Sequence, residues 1–398
     1  MNYDFDTIID RYGTNSVKYD FAVERGKPEE LLPMWLADMD FSVPPEVLAD
    51  IQKAVSHGIF GYTEPKDDYY NAVAYWFGSR FGFGVKQHEI IKTPGVVFAL
   101  GQIIRAFTKP DEAVLVQTPV YYPFYDIIRN NGRKLVTNPL VYNNGIYTGI
   151  YTGINTYIYT IDFDDFERKI TDNKVRLFIL CSPHNPVGRV WTREELEKIN
   201  GICEKHGVLV VSDEIHCDFV WSGYTHTCFG LLNENSFIAT SPSKTFNLAG
   251  LQVSNIFVKN EQLRNKLNVE IKKSGYSHLN TLGLAACKSA YTKGGAWLEA
   301  MKTYLEENIQ LIREFLAERI PKIRLVEPEA SYLIWLDFSQ YELTQDELDR
   351  RITEGAKLRL SGGTSFGADG KDFQRINIAC PRTTLHDALC RLEKEFKE

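Results

Sequence analysis

The sequence predicts an α/β protein, with a large domain built on a mainly parallel sheet between helices and a smaller α+β domain beside it. Three observations predict this. Four short β-branched runs, "AVLVQTPV" (113–120), "KVRLFILCSP" (174–183), "VLVVSDEI" (208–215) and "SFIATSPS" (236–243), are apolar on both faces, as suits strands buried between helix layers. Amphipathic helical stretches separate these runs, the alternation that builds parallel sheets. Beyond about residue 285 the pattern changes to one long helical stretch followed by strand-like pieces.

In chain order, residues 46–285 are assigned to the large domain, and residues 1–45 with 286–398 to the small one. "TPGVVFALGQIIRAF", beginning at Thr93, reads as a glycine turn entering a helix, whose first amides can cradle an anion. "GIYTGIYTGINTYIYT" (145–160) is a tandem repeat whose β-prone alternation and glycines predict an extended surface hairpin. Thr192 precedes "REELEKINGICEKHG", where Glu195 completes a capping box and Gly207 supplies the C-terminal stop. The order strand, helix, strand then follows, and a right-handed crossover puts the ends of the 174–183 and 208–215 strands on one sheet edge. Open α/β folds take their ligands at such edges, and "SPHNPVG", "SDEIH" and "SPSK" all sit there. The stretch 296–320 predicts a long helix, and "ASYLIWLDF" and "FQRINIA" predict strands of the second unit.

Composition narrows the function. A chain of 398 residues with 44% hydrophobic and 24% charged residues has ordinary globular values and exceeds one average core. The formal charge of −7, without a dense basic tract, argues against a nucleic-acid surface. Nowhere do eighteen apolar residues run together, and "MNYDFDTIIDRYG" mixes acids into its apolar stretches, so neither a membrane span nor a secretory signal is expected and the cytoplasm is the expected location. Seven scattered cysteines without a C-x-x-C pair read as reduced core thiols. "DEIHCD" (213–218) is the metal alternative, but no second cluster completes zinc-like spacing, and no metal site is expected.

Lys244, in "SPSKTFNLAGLQ" (241–252), is the residue the rest turns on. A phosphate-binding loop would need glycines before Lys-Thr, and "TSPS" has none. A lysine snorkelling from a strand end into water remains the plain alternative.

In several separate places the chain resembles a known family. "LPMWLADMDF" (32–41), "GIFGY" (58–62), "TPGVVFAL" (93–100), "TPVYYPFY" (118–125), "CSPHNPVG" (181–188), "SDEIH" (212–216), "SPSKTFNLAGLQ" and "RINIACPR" (375–382) occur in an order and spacing similar to the fold type I pyridoxal-phosphate enzymes. These form the aspartate-aminotransferase superfamily of class I/II, and the resemblance is to its cystathionine and cysteine-S-conjugate β-lyase branch (MalY/PatB type). It covers nearly the whole chain, about residues 30–395 as one module, and implies pyridoxal 5'-phosphate as cofactor.

By that resemblance Lys244 forms the Schiff base and shuttles a proton at the substrate Cα. Asp213 pairs with the pyridine nitrogen, Asn185 with the ring hydroxyl oxygen, and Tyr121 stacks on the ring. Each also has a plain alternative, as a cap, a turn residue or a core aromatic. The amides of Gly95, Val96 and Val97 and the hydroxyls of Ser241 and Ser243 are the phosphate donors. Tyr62 reaches the phosphate from the other subunit of a homodimer, and Arg375 clamps the substrate α-carboxylate in two parallel bonds, with Arg382 a weaker candidate for that place. Two positions depart from the common aminotransferase pattern: Gln252 stands where many carry an arginine on the phosphate, and His216 where a tyrosine usually contacts the ring hydroxyl. Both departures resemble the β-lyase branch. The implied reaction is α,β-elimination of L-cystathionine or another cysteine S-conjugate to thiol, pyruvate and ammonia, with an aminotransferase of the same fold, or a binding protein that keeps the fold without turnover, as alternatives.

Overall fold

The computed structural model describes residues 3–145 and 156–397. Among the described residues a seven-stranded sheet forms the centre: β1 (Ile90–Thr93), β2 (Ala113–Thr118), β3 (Lys134–Pro139), β4 (Leu177–Cys181), β5 (Leu209–Asp213), β6 (Ser236–Thr240) and β7 (Ser254–Phe257). Their spatial order is β1-β7-β6-β5-β4-β2-β3. β7 runs antiparallel to β1 and β6, and the other neighbours are parallel.

The both-face apolar runs explain this placement. On one face Val114, Val116, Leu177, Ile179, Val211 and Phe237 join the helix Val96–Phe107 in one core. On the other, Ala113, Leu115, Phe178, Leu180, Val210 and Ile238 face a larger core. Each such fully buried Val, Leu, Ile or Phe contributes about 1.5–3 kcal/mol of transfer free energy. Because side chains alternate across a strand, no register puts one of these strands at a solvated face without exposing several of them. The predicted capping box is present: Thr192 Oγ1 accepts from the Glu195 amide at 3.1 Å, and Glu195 Oε2 accepts from the Thr192 amide at 2.8 Å. Gly207 closes the helix at φ +65°, in the left-handed region that favours glycine.

A second, antiparallel sheet contains β8 (Arg324–Leu325), β9 (Leu333–Asp337), β10 (Ser361–Gly362) and β11 (Phe373–Asn377), in the order β8-β9-β11-β10. The long helix Gly295–Arg319 packs on the helix Arg382–Phe396 beside it. The N-terminal segment is tied to this unit. Leu32–Pro33 pairs in parallel with Leu358–Arg359, and the Asn377 amide group donates to Leu36 O and Asp38 O, both at 2.6 Å. The helix Thr281–Lys293 runs through residue 285 and packs on the helices Pro45–Ser56 and Asp67–Phe81.

The tandem repeat is corrected in one respect. Its flanks do pair, Val141–Gly145 antiparallel with Thr156–Thr160, and residues 146–155 lie outside the described residues. The second arm is not a surface strand, however, because Ile158 and Tyr159 are buried. The Tyr142 hydroxyl donates to Asp337 at 2.9 Å and the Glu327 amide to Tyr157 O at 3.0 Å, so the hairpin base docks against the second sheet.

Candidate active site

β4, β5 and β6 are parallel neighbours, so their carboxyl ends open on one edge, where the predicted loops converge. β6 leads through Ser241 into the short helix Pro242–Thr245, which carries Lys244. Just beyond, Asn247 sits at φ +56° and binds the chain at residues 39–41: its Oδ1 accepts from the Met39 amide, and its amide group donates to Met39 O and Phe41 O, at 3.0–3.1 Å. That clamp lays "LADMD" over the lysine, and Lys244 Nζ donates to Ala37 O at 2.6 Å. Burial pushes the amine down to about 8, with Asp38 opposing and Arg375 adding to the shift.

Lys244 faces a cavity of about 370 Å³ lined also by Gly95, Val96, Val97, Tyr121, Asn185, Asp213, His216, Ser243 and Gln252. Asp213, at the end of β5, has its Oδ1 on the Ile215 amide at 3.1 Å. Burial raises its carboxyl to about 7, against that hydrogen bond. Tyr121 stays a phenol, raised to about 12 by burial. Burial drives the His216 imidazole down to about 3, with Lys244 adding, so His216 is neutral. The helix Val96–Phe107, whose first residues also line the cavity, starts with no side-chain cap, and a Cβ at Gly95 would meet nothing within 4 Å. Its first turn is open to an anion.

Ser241 is not among the side chains that line this cavity. Its hydroxyl donates to Val253 O at 2.7 Å and accepts from the Ser243 amide at 3.0 Å, so it caps the helix that presents Lys244 and ties it to Val253, just before the strand Ser254–Phe257. Of the two serines, Ser243 lines the cavity. Tyr62 also lies elsewhere in its own chain: it is 96% exposed, 5.5 Å from the His278 ring, in a separate recess. Arg382, at the start of the helix Arg382–Phe396, pairs with Glu307 and Asn308 of the helix Gly295–Arg319, the surface ion-pair alternative. The "DEIHCD" groups diverge: Glu214 binds His226 and the Phe229 amide, while Asp218 binds Trp76 and Thr245. Among the described residues no group of three or more such side chains converges.

Arg375, on β11, is buried beside the cavity. Its Nη1 donates to Asn185 Oδ1 at 3.0 Å and its Nη2 to Trp35 O at 2.9 Å, while its Nε is buried without a partner. Burial lowers the guanidinium to about 10. Trp35, Ala37, Cys181, Ile215 and Arg359 also line this region, and no motif spacing pointed to them. Trp35 and Ala37 do fall within the "LPMWLADMDF" block, Cys181 within "CSPHNPVG" and Ile215 within "SDEIH", whereas Arg359 lies outside every quoted block.

The donor set fits pyridoxal 5'-phosphate. A lysine amine of lowered basicity, a buried carboxyl lining the same cavity, an aromatic side chain and an uncapped helix start match an aldehyde, a ring nitrogen, a flat ring and a phosphate. The family model for aminotransferase class I and II matches residues 34–392. The chain is 43% identical over 393 residues to cystathionine beta-lyase PatB of Bacillus subtilis, covering 98% of each chain. Among solved structures it is similar to the pyridoxal-phosphate-bound C-S lyase from Staphylococcus hominis, at 34% identity and a TM-score of 0.91, covering 100% of this chain and 99% of that one. Cystalysin from Treponema denticola, which contains pyridoxal 5'-phosphate, is similar at 35% identity and a TM-score of 0.92, covering 99% of each chain.

Proposed function

The chain belongs to the aminotransferase class I and II family, and from that premise we propose that it is a pyridoxal-phosphate-dependent carbon–sulfur β-lyase acting on L-cystathionine or related cysteine S-conjugates. One observation carries the chemistry: an amine near 8 and a buried carboxyl line one cavity, and a guanidinium with an unspent N–H lines the adjoining chamber that shares the amine. The 43% identity to a cystathionine beta-lyase favours elimination, and Gln252 and His216, the two departures from the aminotransferase pattern, both line that cavity.

Arg375 takes the substrate α-carboxylate through its fork, which orients the Cα–H bond toward Lys244. With its basicity lowered to about 8, Lys244 holds a usable unprotonated fraction at neutral pH and accepts the Cα proton. Bound here, pyridoxal phosphate supplies the electron sink for the negative charge left on that carbon. Asp213 holds its charge against the ring nitrogen, and neutral His216 and Tyr121 add no competing charge beside it. The bond from Cβ to sulfur then breaks, the thiolate leaves with the bonding pair and takes up a proton, and with water the three-carbon remainder ends as pyruvate and ammonia.

Incubation with L-cystathionine and no keto-acid acceptor is expected to give pyruvate and thiol in equal amounts. Turnover that appears only when an acceptor is added would make the protein an aminotransferase instead. Its seven cysteines are free, six of them buried, which suits a cytoplasmic setting. Among the described residues no helix is long and apolar enough to cross a membrane.

The active form is a homodimer in which Tyr62 reaches the phosphate of the other subunit's site. Support comes from Ile59, Phe60 and Tyr62, which are 69%, 60% and 96% exposed and stand outside their own chain's cavity. Tyr62→Phe should weaken cofactor binding about 10-fold, the loss of one hydrogen bond to a charged group. Hybrid dimers of Tyr62→Phe with Lys244→Ala subunits should then regain wild-type cofactor affinity at the surviving lysine, because that site draws its tyrosine from the other chain. Affinity that stays weak in the hybrid would place Tyr62 in its own subunit's site.

A further inference from the structure

Beside the cavity at Lys244 lies a second chamber of about 310 Å³ that shares Ala37, Tyr121 and Lys244 with it and continues to Arg375, Arg359 and Lys27. The lining is strongly cationic. Among its described residues the one carboxylate is Asp349, whose Oδ1 already accepts from Gln345 and Gln374 at 2.9 and 2.8 Å.

Arg359 is the unexplained member. It is 8% exposed, and its Nη1 is buried with no hydrogen-bond partner. Its backbone is fixed by pairing with Pro33 and by the Met34 amide, which donates to Arg359 O at 2.9 Å. The guanidinium lies 4.1 Å from the Trp35 ring, and Arg25 stands 5.6 Å from that same ring. Two cations share one indole, and among the described residues no carboxylate pairs with the inner one. A buried unsatisfied N–H on a cation is costly, and the cost is recovered when an anion enters. Arg375 offers a second buried, unpartnered N–H in the same chamber. One amino-acid carboxylate needs one guanidinium fork, so the second fork calls for a second anionic group on the same substrate.

We propose that Arg359 is a specificity-determining residue that receives a carboxylate on the departing thiol, so that the preferred substrates are cysteine S-conjugates with a second anionic group. L-cystathionine is of this class and S-ethyl-L-cysteine is not. The assignment rests on the β-lyase reading above. Trp35 positions the fork by holding its face, and the strand Leu358–Arg359 carries it on the small unit's side of the substrate.

The test compares kcat/KM for the two substrates on the cofactor-loaded enzyme. Arg359→Met should lower the ratio of L-cystathionine to S-ethyl-L-cysteine about 10- to 100-fold, the range for one lost hydrogen-bonded charge contact. Arg359→Lys should recover part of the ratio. Arg375→Met should lower both values and leave the ratio close to that of the wild type, because each substrate has the α-carboxylate. If Arg359→Met fails to fold, Arg359→Gln is read in the same way. A ratio within twofold of wild type in the variant would overturn the assignment, as would an equal loss on both substrates, which would make Arg359 an α-carboxylate or structural residue. Should wild type release pyruvate from neither substrate, the lyase reading falls. The assignment is then decided by calorimetric binding of L-cystathionine: at least 10-fold weaker binding to Arg359→Met upholds it, and equal binding ends it.

Discussion

Lys244→Ala should leave a folded protein whose release of pyruvate from L-cystathionine falls by about 10⁴-fold, the upper end of what a positioned proton-transfer group contributes. Two observations separate loss of chemistry from loss of structure. The lysine amine is a cost to the fold where it stands, because burial lowers its basicity to about 8. Its one hydrogen-bond acceptor, Ala37 O, also receives the Tyr332 hydroxyl at 3.3 Å, so truncation does not orphan that carbonyl. The urea midpoint should therefore shift by no more than about 1 kcal/mol in free energy. Borohydride reduction should attach cofactor to the peptide around position 244 in wild type and to no peptide in the variant. A variant that keeps more than a hundredth of wild-type turnover would remove Lys244 from the proton transfer. A biological effect that survives with no turnover would point to a separate binding role.

The parts of this site that could be read from sequence are those set by local pattern. The strands ending at Cys181, Asp213 and Thr240 were visible because each is apolar on both faces, and a strand end followed by polar and turn residues is a ligand edge in an open α/β sheet. Thr192 and Glu195 were visible because a capping box is a four-residue signal. The edge strand Lys134–Pro139 was not, since its burial alternates and one inward position is Asn138. Ser241 shows a related limit: a serine before a short helix suits an anion donor and an N-cap alike, and the sequence does not reveal that its hydroxyl also reaches Val253 O at 2.7 Å. The contacts of Trp35, Ala37 and Arg359 were out of reach, although the first two lie in a quoted block. Ala37 meets Lys244 across 207 positions and Trp35 meets Arg375 across 340, and no periodicity within a segment encodes a contact between distant ones. At the hairpin base Tyr159 is buried and Tyr142 half-buried for the same reason, because their stacked rings, 4.9 Å apart, lie against Phe373 of the second sheet.

Asp213→Asn should produce opposite changes in stability and activity, and the pH dependence identifies the cause. In the cofactor-free protein burial raises this carboxyl from 3.8 to about 7, with Glu214 adding and the Ile215 amide and Lys244 opposing. Between those two values the unfolded chain has released the proton and the folded chain still holds it, so the native state binds more protons and stability falls as pH rises. Below the lower value both states are protonated and the penalty is absent, while above the upper value it is complete. At 1.36 kcal/mol for each unit, a rise of this size amounts to on the order of 4 kcal/mol. Asparagine has no proton to lose, and its Oδ1 can still accept from the Ile215 amide, now at 3.1 Å from Asp213 Oδ1. The cofactor-free variant should therefore match wild type near pH 4 in urea denaturation and exceed it progressively up to pH 7–8. The loaded variant should lose about 10²–10³-fold in kcat, the usual consequence of removing one preorganised electrostatic partner of the reacting system. A stability difference that stays flat from pH 4 to 8 would show that the Asp213 carboxyl is not held protonated by its burial. A loaded variant with wild-type kcat would show that the carboxylate does not serve the ring nitrogen. The two results are connected, because the uncompensated buried charge that weakens the empty protein is what a cationic ring nitrogen would neutralise, so the loss of stability and the gain in catalysis arise from the same atoms.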